Sequence, residues 1–448
     1  MTWRYTLQEL AQAIGAKKPE SAAEFSRVST DTRTIQRGDV FFALTGEKYD
    51  ANTFVTEAFA KGACAAVSTK ENSAGACLVV PNAQTALQNF AGFHRDRYSP
   101  LVFAITGSCG KTTSKDMIAA VLITRMRVVK TQGNFNNEIG CPLSVLQIDD
   151  STEAAIIEMG AAQRGNIAEL CAFTKPMESA ITLVAPAHLE GFGSIENIAL
   201  TKGEIAEAIP ADGTFYVNAD SEWCVRVAES VTCNKIYFGS KGDVALRSIQ
   251  IENDGEMTLD VDPIGRLRLP LPSRAHASNA LLAVAVGLRH GVTEFEAPLR
   301  AVCADPARFK RLRIGALDVI DDTYNASPAS MAAALRGLAE RPGNGARIAA
   351  LGDMLELGPT SDQLHAEIGE LTGVLGLSHV FAVGERASAM ITAARDAGVP
   401  HAEVLPDHAT IARSVFQVAQ PGDVLLVKGS RGMRMERVIE QLKLLAGG

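Results

Sequence analysis

The fold of this chain is decided by one stretch, Leu101-Val102-Phe103-Ala104-Ile105-Thr106-Gly107-Ser108-Cys109-Gly110-Lys111-Thr112-Thr113. Its apolar first half is typical of a buried parallel strand, and the residues from Thr113 to Thr124 favour a helix. Between them, glycines let backbone N–H groups approach phosphate oxygens, and the start of the helix adds partial positive charge. The stretch therefore predicts a loop that holds the phosphates of a nucleotide.

The predicted loop is a shortened form of the usual phosphate-binding pattern. That pattern has a glycine five residues before Gly110, where this chain has Ile105. Lys111 can reach the β- and γ-phosphates, and the Thr112 hydroxyl can ligate Mg2+. A match this short also arises by chance or in an ordinary tight turn. The strand before it and the helix after it favour the phosphate-binding interpretation.

Composition indicates a globular enzyme and argues against several other classes of protein. The chain has 448 residues, of which 47% are hydrophobic and 21% charged. A net charge of −8, without a long Lys/Arg run, argues against a nucleic-acid-binding surface. No apolar run approaches the length of a membrane span, and the first residues lack a signal-peptide pattern. The eight cysteines form no Cys-x-x-Cys pair, so we expect reduced thiols in a cytoplasmic protein without membrane insertion.

The chain divides into three blocks, which together predict an α/β fold. Residues 1–98 contain short strands and helices and end in the linker-like Tyr98-Ser99-Pro100. Residues 99–312 alternate strand-like and helix-like runs, which predicts a central parallel sheet carrying the phosphate-binding loop. Residues 313–448 repeat that alternation and predict a Rossmann-like domain. They lack the Gly-x-Gly-x-x-Gly of a dinucleotide site after their first strand.

Four further features of the middle block are candidates for chemistry. Glu158 ends an apolar strand, where a carboxylate is well placed to hold Mg2+ but is as often merely solvated. His188 follows another strand-like run, where an imidazole is a metal ligand or, more commonly, structural. Lys202 lies in a helix-like run and is surface charge by composition alone. The amide-rich segment 133–140 favours either a turn or a recognition loop.

These features occur in an order and spacing that resemble the Mur ligases. The resemblance covers nearly the whole chain, although each motif is weak by itself. It rests on these motifs: Ser29-Thr30-Asp31-Thr32-Arg33, Gly38-Asp39-Val40-Phe41-Phe42-Ala43-Leu44-Thr45-Gly46, GSCGKTT at 107–113, GNFNNEIG at 133–140, Glu158-Met159-Gly160-Ala161, AHLEGFGS at 187–194, Lys202-Gly203-Glu204-Ile205, DDTYNASP at 321–328, LGDMLELG at 351–358 and KGSR at 428–431.

The resemblance implies an ATP-dependent ligase of peptidoglycan precursor synthesis. The motifs at 321–328 and 351–358 point to the family member that joins D-Ala-D-Ala to UDP-N-acetylmuramoyl-tripeptide through an acyl phosphate. The first block would then bind the UDP-sugar, the second ATP, and the third the incoming dipeptide. A cytoplasmic enzyme that acts as a monomer is implied as well.

The resemblance also implies roles for individual residues. Two Mg2+ ions would be held by Thr112, Glu158 and His188. Lys202 would be carbamylated, giving an anionic oxygen ligand near the second ion, and would be catalytic together with Lys111, His188 and Glu158. ATP would be bound by the loop and three later residues, namely Gly107, Ser108, Cys109, Gly110, Lys111, Thr112, Thr113, Asn279, Asp322 and Asn325. The other substrates would be bound by Thr30, Asp31, Arg33, Thr45, Asn134 and Asn137.

Two other interpretations stay open at the level of the sequence. One is a related ATP-dependent amide ligase, either another Mur ligase or an enzyme of the folylpolyglutamate synthetase type. The motifs of the first block and of 321–328 argue against it. The other is a non-enzymatic nucleotide switch, in which Glu158, His188 and Lys202 would have no common role.

Overall fold

A computed structural model describes residues 3–46, 49–186, 189–304 and 310–447, which form an α/β protein in three parts. The N-terminal part contains the strands β1 (Tyr5–Thr6), β2 (Glu24–Phe25), β3 (Val28–Ser29), β4 (Val40–Phe42), β5 (Thr45–Gly46), β6 (Tyr49–Asp50), β7 (Ala65–Ser68) and β8 (Cys77–Val79). Its helices are α1 (Leu7–Ile14), α2 (Val55–Ala60) and α3 (Ala83–Tyr98). The main sheet of this part is parallel, in the order β3-β4-β7-β8.

The middle part is built around a mixed sheet in the order β10-β11-β9-β12-β13-β14-β15-β16-β17. Its strands are β9 (Leu101–Thr106), β10 (Val128–Lys130), β11 (Ala154–Glu158), β12 (Glu178–Ile181), β13 (Thr214–Asn218), β14 (Asn234–Gly239), β15 (Val244–Ile251), β16 (Met257–Asp262) and β17 (Gly265–Leu269). Its helices are α4 (Lys111–Leu122), α5 (Gly140–Val145), α6 (Asn166–Thr174), α7 (Leu189–Phe192), α8 (Ile195–Glu207), α9 (Glu222–Glu229), α10 (Ala277–Arg289) and α11 (Glu296–Cys303).

The central strand β9 is apolar throughout because helices cover both faces of the sheet. Val102 and Ala104 pack on the side of α5, α6 and α8, whereas Phe103 and Ile105 pack on the side of α4 and α10. This alternation is the two-residue period of a strand, and burial on both faces removes the need for polar positions. The predicted central parallel sheet is confirmed from β10 to β15.

The far edge of the middle sheet departs from the predicted alternation of strands and helices. Here β15, β16 and β17 pair antiparallel as two successive hairpins without intervening helices. Strand β16 alternates more buried and more exposed side chains, as expected when one face of a sheet packs on the core and the other faces solvent. Strands that alternate in this way contain no continuous apolar run, so this extension was not predicted from the sequence.

The C-terminal part is a Rossmann-like layer structure, as predicted. Its sheet order is β18-β19-β23-β20-β21-β22, with only the β18–β19 pair antiparallel within the described chain. The strands are β18 (Lys310–Ile314), β19 (Leu317–Asp322), β20 (Arg347–Gly352), β21 (His379–Val383), β22 (His401–Val404) and β23 (Val424–Lys428). The helices are α12 (Pro328–Ala339), α13 (Ser361–Val374), α14 (Ala387–Asp396), α15 (His408–Val418) and α16 (Glu436–Gly447).

The N-terminal and middle parts share one hydrophobic core. Helix α3 packs on α5 and α6, and a single apolar cluster runs from Trp3 through Phe90 to the middle sheet. Buried polar groups join the same surfaces: the Trp3 indole N–H donates to the Leu146 carbonyl oxygen at 2.9 Å. His94 contacts the Tyr5 hydroxyl at 3.1 Å and the Ile148 carbonyl oxygen at 2.7 Å. These two parts therefore form one packed unit.

The C-terminal part has its own two apolar clusters, and its hydrogen bonds to the middle part include both side-chain and backbone groups. Arg274 Nε lies 3.0 Å from Glu340 Oε1, and the Glu190 N–H donates to the Glu356 carbonyl oxygen at 3.3 Å. The domain boundaries stay predictions. None of the described helices is both long enough and apolar enough to cross a bilayer.

Candidate nucleotide and metal site

The predicted phosphate-binding loop joins β9 to α4 at the carboxyl edge of the middle sheet. Gly107 and Gly110 have φ values of +149° and +83°, which side chains rarely tolerate. Helix α4 begins at Lys111, and no described side chain caps its N-terminus, so its first N–H groups are available to an anion. Lys111 Nζ donates to the Gly107 carbonyl oxygen at 2.7 Å, which folds the ammonium over the loop.

Neighbouring strands and helices hold this loop from two sides. Thr182, just after β12, donates from Oγ1 to the Cys109 carbonyl oxygen at 2.5 Å and to the Thr106 carbonyl oxygen at 3.3 Å. From α10, Asn279 Oδ1 accepts the Ser114 hydroxyl at 3.0 Å. Asn279 therefore lies beside the loop, while its predicted contact to ATP stays a prediction.

Replacing Gly107 with alanine is expected to weaken nucleotide binding by about a hundred-fold. The new Cβ would overlap Thr182 Oγ1, and the +149° φ adds strain of roughly 1–3 kcal/mol, so the loop must shift. Gly265→Ala is a matched control, because Gly265 has a φ of +81° in the distant β16–β17 turn with open space around its Cβ. ADP titration by calorimetry measures both variants; equal affinities would contradict the prediction.

Glu158 lies next to this loop as the last residue of β11, and its side chain is buried. Its Oε1 accepts the Thr112 hydroxyl at 3.1 Å and the Asn136 amide at 2.8 Å. Its Oε2 is buried without a hydrogen-bond donor from the described chain, while Lys115 Nζ lies 3.7 Å away. The structure thus brings two of the predicted Mg2+ ligands, Thr112 and Glu158, into contact, and their role in metal binding stays a prediction.

These oxygen atoms fit Mg2+, which prefers hard oxygen ligands and combines one or two carboxylates with substrate phosphates. Thr112 Oγ1 and Glu158 Oε1 already lie 3.1 Å apart beside the phosphate loop, which is the donor set such a site needs. Among the residues that the structure describes, no three His, Cys, Asp or Glu side chains gather into a metal cluster. The third predicted ligand, His188, lies outside the described residues, so the ligand set stays a prediction.

Lys202 is buried in α8 rather than exposed, contrary to what composition alone favours. Only 4% of its surface is accessible. Burial, with a smaller contribution from the Lys111 charge, lowers the pKa of its amine to about 7. The amine is therefore substantially neutral near pH 7, and a neutral amine is the form that reacts with CO2. The environment is compatible with the predicted carbamate.

Residues of the C-terminal part reach the same site. Lys428, buried at the end of β23, donates from Nζ to Asp322 Oδ2 at 2.7 Å and to the Asn325 carbonyl oxygen at 2.9 Å. Burial raises the pKa of the Cys109 thiol, while Lys428 and Lys111 oppose that shift. Burial lowers the pKa of His276 to about 4. The Lys428 charge lowers this pKa further, and the Asp322 charge opposes the shift. Lys428 and Asp322 are therefore near enough to the phosphate loop for their charges to act on Cys109, while the predicted ATP contacts of Asp322 and Asn325 stay predictions.

The predicted substrate residues of the N-terminal part lie on its exposed side. Arg33 pairs with Asp31 at 2.6 Å, and hydrogen bonds from Arg33 lower the pKa of Asp31 to about 2. Thr45 Oγ1 lies 3.4 Å from Asp50 Oδ1, and Thr30 is half-buried next to Asp31 in sequence. No hydrogen bond between described residues joins this group to the phosphate loop. Their role in binding a sugar nucleotide stays a prediction.

In the amide-rich loop, Asn136 contacts Glu158, while the substrate contacts predicted for Asn134 and Asn137 stay predictions. Asn137 Oδ1 accepts the Gly140 N–H at 2.9 Å and so starts α5, while the Asn134 carbonyl oxygen accepts the Asn136 N–H at 2.7 Å. The residue that contacts Glu158 is Asn136, which the sequence analysis did not single out. Lys115, Thr182 and Lys428 were missed as well, because only the packing of distant segments brings them to the site.

Two family profiles match the chain. The first, described as the Mur ligase middle domain, matches residues 105–287, and the second, described as the Mur ligase, glutamate ligase domain, matches residues 307–431. UDP-N-acetylmuramoyl-tripeptide–D-alanyl-D-alanine ligase of Escherichia coli (strain K12) is 34% identical, with 98% of each chain covered. The protein of the same name from Bacillus subtilis (strain 168) is 33% identical, covering 93% of this chain and 92% of its own.

Solved structures show the same similarity. The crystal structure of MurF from Acinetobacter baumannii superposes with a TM-score of 0.91 at 30% identity and covers 99% of both chains. MurF ligase from Thermotoga maritima, solved in complex with ADP, superposes with a TM-score of 0.84 at 28% identity. That comparison covers 94% of this chain and 98% of the other.

Proposed function

The chain belongs to the Mur ligase family, and from that premise we propose that it joins D-Ala-D-Ala to UDP-N-acetylmuramoyl-tripeptide with cleavage of ATP to ADP and phosphate. The observation that carries this proposal is full-length similarity to ligases of that name, together with a phosphate loop set against Glu158. Such a ligase supplies a precursor of peptidoglycan. Its product is needed for cell-wall growth, cell shape and division.

The first step transfers a phosphoryl group to the free carboxylate of the tripeptide. That oxygen attacks the γ-phosphorus of ATP, the bond from phosphorus to the β-bridging oxygen breaks, and acyl phosphate and ADP result. Carboxylate and triphosphate are both anionic and repel each other, so positively charged groups must already surround them. Lys111 Nζ and the N–H groups at the start of α4 supply it from the loop.

The second step forms the amide bond. The amine of D-Ala-D-Ala attacks the acyl carbonyl carbon, and the tetrahedral intermediate expels phosphate as the carbonyl re-forms. The amine loses one proton in the process. The C-terminal part is proposed to bring the amine to the acyl phosphate, and its closure would align the amine and exclude water. Support comes from the charges of Lys428 and Asp322, which are near enough to the phosphate loop to act on Cys109.

Metal binding is part of the proposal. Thr112, Glu158 and His188 are proposed to hold Mg2+, with carbamylated Lys202 serving a second ion. When bound, Mg2+ would neutralise charge on the phosphoryl oxygens. The support is the contact between Thr112 and the buried Glu158, together with the burial that lowers the pKa of Lys202 to about 7.

The remaining proposals concern substrates and setting. The N-terminal part is proposed to bind the UDP end of the substrate and the C-terminal part the dipeptide. All eight cysteines are free, which supports a cytoplasmic location where UDP-linked precursors and ATP are available. The predicted monomer stays a prediction.

Phosphate release is expected to require ATP and both other substrates. Since the acyl phosphate forms only on the tripeptide carboxylate and turns over only when the amine attacks, omission of either should lower steady release at least about a hundred-fold. A coupled phosphate assay measures this, with L-Ala-L-Ala as the matched control for D-Ala-D-Ala. Release that is indifferent to both substrates would favour a nucleotide switch. Stimulation by glutamate and a folate in place of these substrates would favour the folylpolyglutamate type.

A further inference from the structure

Lys115 lies where a helical lysine is least expected. It follows Lys111 by one turn in α4, yet only 1% of its surface is accessible. Helices α10 and α11 pack on α4 and leave Lys115 facing β10 and β11. A charge in the interior is strongly unfavourable unless other groups satisfy it.

The Lys115 ammonium is surrounded by polar groups of β11, of the residue after β10 and of its own helix. Its Nζ donates to the Thr131 carbonyl oxygen at 2.8 Å and lies 3.7 Å from both Glu158 Oε2 and Asp116 Oδ1. Asp116 Oδ1 in turn accepts Lys130 Nζ at 2.7 Å. A row of alternating charge thus leads from the surface to the phosphate loop, through Lys130, Asp116, Lys115 and Glu158.

The two oxygens of Glu158 are made unequal by this row. Oε1 accepts hydrogen bonds from Thr112 and Asn136, whereas Oε2 faces only the Lys115 ammonium among the described groups. Thr131 fixes the backbone of the same residue, because its Oγ1 accepts the Glu158 N–H at 3.0 Å. Lys115 and Glu158 are therefore held against one another through Thr131 as well as by charge.

We propose that Lys115 is a positioning residue for the metal site: by pairing with Oε2 it orients the Glu158 carboxylate so that Oε1 faces Thr112 and the nucleotide. This inference rests on the proposed function, because it takes Glu158 as a metal ligand. Stability alone does not account for the buried ammonium, since apolar replacements of buried ion pairs are often neutral or stabilising. Groups that orient metal ligands commonly change metal affinity about ten- to a hundred-fold when removed.

The test measures binding of Mn2+ in the presence of ADP, by the electron paramagnetic resonance signal of free Mn2+. Lys115→Met removes the ammonium at similar length, and the double variant Lys115→Met/Asp116→Asn removes one charge of each sign. Lys130→Met is the matched control, because it deletes a lysine of the same row that does not contact Glu158. We expect Mn2+ affinity to fall at least about tenfold in both Lys115 variants and less than about twofold in Lys130→Met.

Two further readouts separate positioning from loss of structure. ADP binding in EDTA should stay within about twofold of wild type, because Lys111 and the loop remain. The Mg2+ concentration for half-maximal phosphate release should rise by the same factor as the Mn2+ dissociation constant. If the single variant does not fold, the charge-balanced double variant decides the result. Melting curves establish which variants are folded.

Each outcome bears on the inference. A folded Lys115 variant with wild-type Mn2+ affinity overturns it, and so does an equal loss of affinity in Lys130→Met. Failure of the proposed metal site looks different: wild-type protein would then bind Mn2+ no better than Glu158→Gln. In that case the proposed metal site is wrong, and the positioning role of Lys115 is wrong with it.

Discussion

Replacing Lys111 with methionine is expected to lower the turnover number for phosphate release by about a thousand-fold. Lys111 Nζ donates to the Gly107 carbonyl oxygen at 2.7 Å, which keeps the ammonium over the loop proposed to hold the phosphates. Methionine removes this cation at the point where two anions must meet. The folded structure should tolerate the change, because within the described part of the chain the amine donates to a backbone carbonyl oxygen of the same loop.

Steady-state phosphate release at saturating substrates measures this effect, and a melting curve checks the fold. Lys111→Arg is the matched control: it keeps the positive charge but not the compact ammonium, so part of the activity should return. A loss below about tenfold in Lys111→Met, with normal folding, would show that the loop cation does not act on the transferred phosphoryl group.

Lys202 is expected to give the second large effect. Both Lys202→Met and Lys202→Arg should lower turnover by about a hundred-fold or more, because neither side chain can become an anionic carbamate. Arginine is the informative control, since it preserves a positive charge that a simple cationic role would require. Substantial activity in Lys202→Arg would contradict the carbamate and favour a role for the ammonium itself.

The carbamate can be observed directly. Wild-type protein in 13C-bicarbonate should show a carbamate carbon signal by nuclear magnetic resonance, and its activity should fall in CO2-free buffer. Lys130→Met, which removes a more exposed lysine, should retain the signal, whereas Lys202→Arg should lose it. A signal that persists in Lys202→Arg would belong to another amine.

Lys202 also links stability to pH in CO2-free buffer. Its pKa is about 7 in the folded protein and near 10.5 when unfolded, so the unfolded chain binds more protons between these values. The free energy of unfolding should therefore rise with pH across this window. Lys202→Met should remove a penalty of about 3–5 kcal/mol that is fully present below about pH 7 and gone above about pH 10.5. Melting temperatures of the two proteins at about pH 6.5 and about pH 9.5 measure the difference.

The phosphate loop was predictable because its information is local. An apolar strand, two glycines and a helix start lie within one short stretch, and their geometry follows from short-range sterics. Glu158 required one further step, since its place beside the loop depends on β11 lying next to β9 in the sheet. The resemblance to the Mur ligases predicted that Glu158 lies beside the loop, whereas its strand-like run alone did not.

Other parts of the site depend on packing that no local pattern encodes. Lys115 and Lys202 both look like solvated helical lysines, and their burial follows from helices and strands that pack on α4 and α8 from distant segments. Asn136 and Asn137 are indistinguishable as amides in one loop, yet only the first points to Glu158. The antiparallel strands β15–β17 were missed for a related reason, because half-buried strands alternate instead of forming apolar runs.

The N-terminal and middle parts share one core, so we expect them to unfold together as one cooperative unit. Because Trp3, Phe90 and the helices α5 and α6 belong to one apolar cluster, a fragment cut near residue 98 would expose an apolar face on both pieces. The C-terminal part, with its own clusters, can separate without opening a core. Heating or limited proteolysis should therefore divide this molecule into two pieces rather than three. The smallest fragment that we expect to fold with the phosphate loop intact consists of the N-terminal and middle parts together.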